Sequence, residues 1–162
     1  MTSLTQSRRG LGGRLAGRLL HWFFLTKRGL TIGVRAVVRC RDGKFLLLRH
    51  TYLPGWHFPG GGVERGETAE TALGNELFQE TGLRLAQKPV LHGVFFNKGV
   101  SKRDHVLVYL CEVQGEAPTK ASSIEIAEYG FFAADELPQD IDPGTARRIR
   151  EIAEGAERHE AW

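Results

Sequence analysis

Apolar and polar positions change rhythm several times along this chain. Leu11, Leu15, Leu19, Trp22 and Phe23 recur at i, i+4, i+8 and i+11/12, with Arg14 and Arg18 off that stripe. Such spacing predicts a basic amphipathic helix over residues 8 to 25. A helix packed on the domain or on a second copy of the chain, a membrane-surface anchor and an organelle-targeting segment all fit that pattern. Thr31 to Arg39 is β-branched and mostly apolar and reads as a strand. Asp42-Gly43 is a hairpin signal, and Lys44 to His50 is the returning strand. Tyr52 to Gly66 is rich in glycine and proline and reads as a loop.

A second helix follows. Thr68 is a suitable N-cap, Glu70 suits the first turn, and Gly82 after Thr81 is a suitable stop. Pro89 to Asn97, His105 to Val113 and Ile126 to Phe132 read as strands. Asp142 followed by Pro143 opens a last helix, running to about Arg158. Strands and helices in this order predict an α/β (α+β) sandwich. The expected division is a basic arm, 1–29, and one domain, 30–162.

With 162 residues, the chain has room for one core and little more. The expected place of work is the cytoplasm: there are only two cysteines, and no apolar run approaches the ~20 residues that span a bilayer. Of 22 Lys and Arg, nine precede the first acid, Asp42, leaving 13 against all 19 Asp and Glu. The basic charge belongs to the arm and first strand. A net acidic body argues against a nucleic-acid partner.

Candidate chemistry concentrates in Gly60-Gly61-Gly62 and the helix after it. On a helix, Glu76 and Glu80 lie one turn apart on one face. Like charges at this spacing repel unless a cation sits between them, and a hard divalent ion is the natural partner. Glycines expose backbone groups that side chains would block. A loop leading into paired carboxylates therefore suits Mg²⁺ and a diphosphate. Either half alone is common: two Glu on a solvated face, or a plain glycine turn.

The joint spacing is rarer. Gly61, Glu67, Glu76, Leu77, Glu80, Gly82 and Leu83 match seven of the nine defined positions of G-x5-E-x7-R-E-U-x-E-E-x-G-U, with U apolar. That segment resembles the Nudix box of the MutT-like hydrolases, and the resemblance extends from Leu30 to about Arg150. It implies an α/β/α sandwich around a mixed sheet, preceded here by the extra N-terminal helix. The implied activity is Mg²⁺- or Mn²⁺-dependent hydrolysis of a small nucleotide-type diphosphate. Carried over by position, Glu76, Glu80 and the Gly61 carbonyl would hold the metal, with Gln79 offering an oxygen where the family has Glu. Glu67 and Gly82 would support the loop and helix. Glu76, Glu125 or Glu128 would take the proton from the attacking water.

Two departures stand out. Asn75 replaces Arg and Gln79 replaces Glu. They are i, i+4, so an amide–amide bond between them is expected to replace an ion pair. Weaker metal binding would follow, with either a slower hydrolase or a nucleotide-binding module as the result. On the substrate side, Arg35, Arg49 and His50 are candidates for phosphate, and Trp56 and His57 for a base or sugar. Phe95, Phe96, Lys98, Lys102, Arg103 and His105 are further candidates to shape the pocket. Residues 8–25 could touch a membrane surface or a second copy of the chain.

Overall fold

A computed structural model describes residues 29–116 and 125–162. The arm and its amphipathic helix lie outside those residues. Among the described residues there are eight strands and two helices: β1 (Thr31–Val38), β2 (Phe45–His50), β3 (Trp56–His57), α1 (Ala69–Thr81), β4 (Arg84–Leu85), β5 (Val90–Phe96), β6 (Asp104–Cys111), β7 (Val113–Gln114), β8 (Ile126–Phe132) and α2 (Pro143–Glu154). No helix among the described residues is long and apolar enough to cross a membrane.

The expected β1–β2 hairpin is corrected. The chain does turn tightly at Asp42-Gly43, where Cys40 N–H donates to Lys44 O at 2.8 Å. The two strands then part into different sheets. β1 runs parallel to β6, and β6 pairs antiparallel with β5. β2 lies between β3 and β8, antiparallel to both. β4 and β7 form a small third sheet. The last helix also ends earlier than expected, at Gly155 in the left-handed region (φ +66°).

Alternation along β1 shows why two helices are needed. Val34, Ala36 and Val38 pack with Leu73 and Leu77 of α1. Val37 faces the other way and packs with Phe45, Phe58, Phe95 and Ile149 of α2. Successive residues of a strand serve opposite faces, so each face requires its own cover. The result is the α/β/α arrangement.

The glycine loop is held against β1. Ala36 N–H donates to Pro59 O at 2.8 Å, Val34 N–H to Gly61 O at 2.9 Å, and Val63 N–H to Ile32 O at 2.8 Å. These bonds turn part of the loop into a short extension of the first sheet. α1 starts next. The Thr68 side chain accepts from Thr71 N–H at the N-cap, and Gly82 closes the helix at φ +75°. Beyond α2, the last residues return to β5. Phe96 N–H donates to Glu160 O at 2.8 Å, and Trp162 N–H to Phe96 O at 3.0 Å. Trp162 lies against Gly144 in the first turn of α2.

Candidate active site

Gly60, Gly61 and the carboxylates of α1 meet at the head of the glycine loop. Glu80 is buried, and its Oε2 accepts a hydrogen bond from Gly60 N–H at 2.7 Å. Glu76 packs on Gly61 so closely that a Cβ there would stand 2.4 Å from its Oε1. A Cβ on Gly60 would strike Val34 O at 2.0 Å. Glycine at 60 is thus required by the backbone behind it, and glycine at 61 leaves room for the Glu76 carboxylate. The Tyr129 hydroxyl, from β8, donates to Glu80 O and ties α1 to the second sheet.

Electrostatics at this point are strained. Burial pushes the Glu80 carboxyl up to about 8, with the Glu76 and Glu125 charges adding to the rise. The Gly60 N–H and the Arg35 charge oppose it. Burial also raises Glu76, and Arg35 again opposes the rise. Arg35 lies on β1 between the residues that bind Pro59 and Gly61, with its Nη1 donating to Val34 O at 3.0 Å. Burial lowers its pKa, and Glu80, Asp142 and Glu76 hold it up.

His50 approaches Glu80 with Nε2 3.7 Å from Oε1. That contact is not an ion pair at neutral pH. Burial, with His57 and Arg35 nearby, lowers His50 to about 4, so the ring is neutral while Glu80 tends to hold its proton.

Other candidates fall in different places. Glu125 is exposed, its backbone oxygen accepts from Thr51 N–H at 2.8 Å, and its charge reaches Glu76 and Glu80. Glu128 pairs with Arg49 in the β2–β8 ladder and alternates to the opposite face from Tyr129. Arg49 is held by Asp140 at 2.5 Å and stacks on Trp56 at 5.0 Å. Trp56 is a core residue packed edge-on against Phe132. His57 is buried with Nε2 2.8 Å from Pro54 O. Phe95 is in the core under Arg148, and Phe96 stacks on His105. Lys98, Lys102 and Arg103 are exposed around the β5–β6 turn.

The expected Asn75–Gln79 bond is also corrected. Asn75 Nδ2 donates to Glu67 Oε1 at 2.8 Å, and the other oxygen of Glu67 accepts from Glu64 N–H at 3.2 Å. Asn75 therefore ties the helix to the loop rather than to its own next turn. Gln79 is exposed. Sequence reasoning missed Tyr129, Asp140 and Asp142. In the sequence Asp142 signals only a helix start, and its side chain does accept from Thr145 N–H at 2.7 Å.

A divalent cation fits this donor set. Two carboxylates held together at a cost, beside a backbone carbonyl with a spare lone pair, are what Mg²⁺ and Mn²⁺ take, the remaining positions going to water and phosphate. Among the described residues, no group of three or more His, Cys, Asp and Glu forms a complete protein cage. Such a site suits an ion shared with a phosphorylated ligand.

The NUDIX domain family model matches residues 29–152. The chain is 30% identical over 129 residues to a MutT-like protein of Streptomyces ambofaciens, covering 80% of each. It is 39% identical over 56 residues to an RNA pyrophosphohydrolase of Shewanella piezotolerans, covering 35% of this chain and 32% of that protein. Among solved structures, a MutT NUDIX hydrolase from Burkholderia pseudomallei superposes with a TM-score of 0.65 at 27% identity, covering 75% of this chain and 97% of that one.

Proposed function

Since the chain belongs to the NUDIX family, we propose that it hydrolyses a diphosphate bond in a small nucleotide-type substrate, with Mg²⁺ or Mn²⁺ as cofactor. The observation that carries this reading is the Glu76–Glu80 pair closing on Gly60 and Gly61. Glu76, Glu80 and the Gly61 carbonyl would hold the cation. When bound, it would neutralise diphosphate oxygens and acidify a water. Arg35 adds a fixed positive charge beside the carboxylates. The Glu125 carboxylate, close enough to raise both, is the group we assign to take the proton from the attacking water. Glu67 and Asn75 keep the loop and helix in register. His50 comes within 3.7 Å of Glu80 from β2, and its neighbour Arg49 is held by Asp140.

The names of relatives support the reaction class and do not fix the substrate. The match to an RNA pyrophosphohydrolase spans 56 residues only. A net acidic body favours a small substrate over nucleic acid. We also infer a cytoplasmic place of work, supported by two free thiols. The test is phosphate release over ADP-ribose, dinucleotides, nucleoside triphosphates and sugar nucleotides, with Mg²⁺ and Mn²⁺. Turnover that Glu80→Gln abolishes supports a hydrolase. No turnover by folded protein overturns that reading.

A second reading follows from Asn75 and Gln79, both neutral where the family pattern is charged. In it, the fold binds a nucleotide with little or no hydrolysis. The double change Asn75→Arg with Gln79→Glu would then create or raise activity. A silent double change in a protein that already turns over argues against it. Membrane contact through residues 8–25 is tested by liposome co-sedimentation with and without residues 1–28, and equal pelleting overturns it.

A further inference from the structure

We propose that the cavity bordered by the β2–β3 loop is the seat of a nucleobase, with the Tyr52 ring as its stacking face, so that the substrate of this site carries an aromatic base. This inference rests on the hydrolase reading above and deepens it, by giving a place to the half of the substrate beyond the diphosphate.

The cavity comes first. Its volume is about 420 Å³, and Arg49, His50, Tyr52, Leu53, Pro54 and Asp140 are among its walls. Rings and aliphatic surface with a few polar groups, at this size, are what small-molecule sites offer. The loop beside it is pinned. Thr51 N–H donates to Glu125 O at 2.8 Å at one end, and Trp56 N–H to Asp140 O at 3.3 Å at the other. Between them, Pro54 O lies 2.8 Å from His57 Nε2. Gly55, at φ +90°, brings the loop so near that a Cβ there would stand 2.7 Å from Asp140 O. A loop tied at this many points keeps its shape before a ligand arrives, which lowers the cost of binding.

Tyr52 comes second. It is 68% exposed on this pinned loop. Its ring is tilted 39° against that of His50, with centroids 5.0 Å apart. His50 in turn stands 3.7 Å from Glu80 Oε1. One neighbouring ring therefore joins Tyr52 to the paired carboxylates, and a ligand gripped there by its phosphates has its next group within reach of the tyrosine. A flat, rigid ring matches the flat face of a base, whichever base it is. The polar wall suits a base as well. Asp140 Oδ2 is bonded to Arg49 at 2.5 Å, and a carboxylate keeps further lone pairs for the N–H groups of a base edge. Arg49 is held in place by that bond and by Trp56, 5.0 Å beneath it. Trp56, a candidate base contact in the sequence, is buried in the core, which leaves that part to Tyr52.

Ligands that differ only in the base isolate this contact. Isothermal titration of the full chain, with Mg²⁺ present, compares AMP, GMP, CMP and UMP with ribose 5-phosphate, which has the phosphate and the sugar and no base. None of them contains a diphosphate bond, so each reports binding without turnover. The best-bound nucleotide should bind at least ~10-fold more tightly than ribose 5-phosphate. Tyr52→Ala should weaken that nucleotide ~10-fold and leave ribose 5-phosphate within ~2-fold of wild type. Tyr52→Phe keeps the ring and should stay within ~3-fold for both. The ring is exposed, so the melting temperature of either variant should match wild type. Equal affinity for nucleotides and ribose 5-phosphate overturns the inference. So does a Tyr52→Ala protein that keeps its preference for a base, or one that loses affinity for nucleotide and ribose 5-phosphate alike. Failure here and failure of the hydrolase reading look different. Turnover that Glu80→Gln abolishes, with no preference for a base, sinks only the base seat. Base-selective binding that Tyr52→Ala removes, in a protein that cleaves no diphosphate, sinks only the hydrolase.

Discussion

Glu80 concentrates much of the physics of this protein in one side chain. It is 7% exposed, bonded to Gly60 N–H, and raised to about 8. Glu80→Gln keeps the shape, removes the charge, and should cut turnover by ~100-fold or more, measured on the best substrate of a diphosphate panel. Gly61→Ala makes a separate point. Its new methyl would collide with Glu76 Oε1 at 2.4 Å, so the carboxylate must swing away. We expect Mn²⁺ affinity and activity to fall at least ~10-fold, with the melting temperature moving little because Gly61 has an ordinary φ. Mn²⁺ titration and thermal unfolding together check this. Trp56 is different: packed on Phe132 and under Arg49, it belongs to the core. Trp56→Phe should cost about 1–3 kcal/mol in urea unfolding and leave KM unchanged. A raised KM with unchanged stability would restore the ligand contact that an aromatic beside glycines suggests.

Local chemistry accounts for which elements were legible. α1 is announced by Thr68, Glu70 and Gly82, each acting within one turn, and the structure keeps those limits. Thr68→Ala removes the cap and should cost about 1 kcal/mol by urea unfolding, with catalysis kept. Strand partnership is not local. Asp42-Gly43 can close a hairpin or hand the chain from one sheet to another, and only the partners of β1 and β2 decide which. The same holds for Asn75. Helical periodicity points it at Gln79, four residues on, yet its partner is Glu67, eight residues back across the loop. Glu76, Glu80 and the glycines were readable because their spacing is fixed by one loop and one helix. Tyr129 and Asp140 were not, because they arrive from β8 and from the segment before α2.

At the scale of the whole molecule, pH links the site to stability. The folded-state pKa of Glu80, about 8, lies above its ordinary 4.5. Its contribution is complete below 4.5 and is lost as pH rises through 8. His50, lowered from 6.5 to about 4, works the other way: its contribution is present above 6.5 and lost as pH falls through 4. The two oppose each other between 4.5 and 6.5, and above that only the carboxyl acts. Metal-free protein should therefore melt at a lower temperature at pH 8 than at pH 6.5. Glu80→Gln should flatten that decline, and Mg²⁺ should reverse it, as scanning calorimetry would record. A flat wild-type profile would contradict the raised Glu80.

The parting of β1 and β2 carries a mechanical consequence. Arg35 and the glycine loop ride on one sheet, His50 and Tyr129 on the other, and α1 reaches across with its two acids. The groups that must act together are thus mounted on two plates, and their spacing is a measure of how the plates sit. A ligand gripping both sides works as a strut, and slower amide exchange along β1 and β8 would register the tightening far from the atoms it touches.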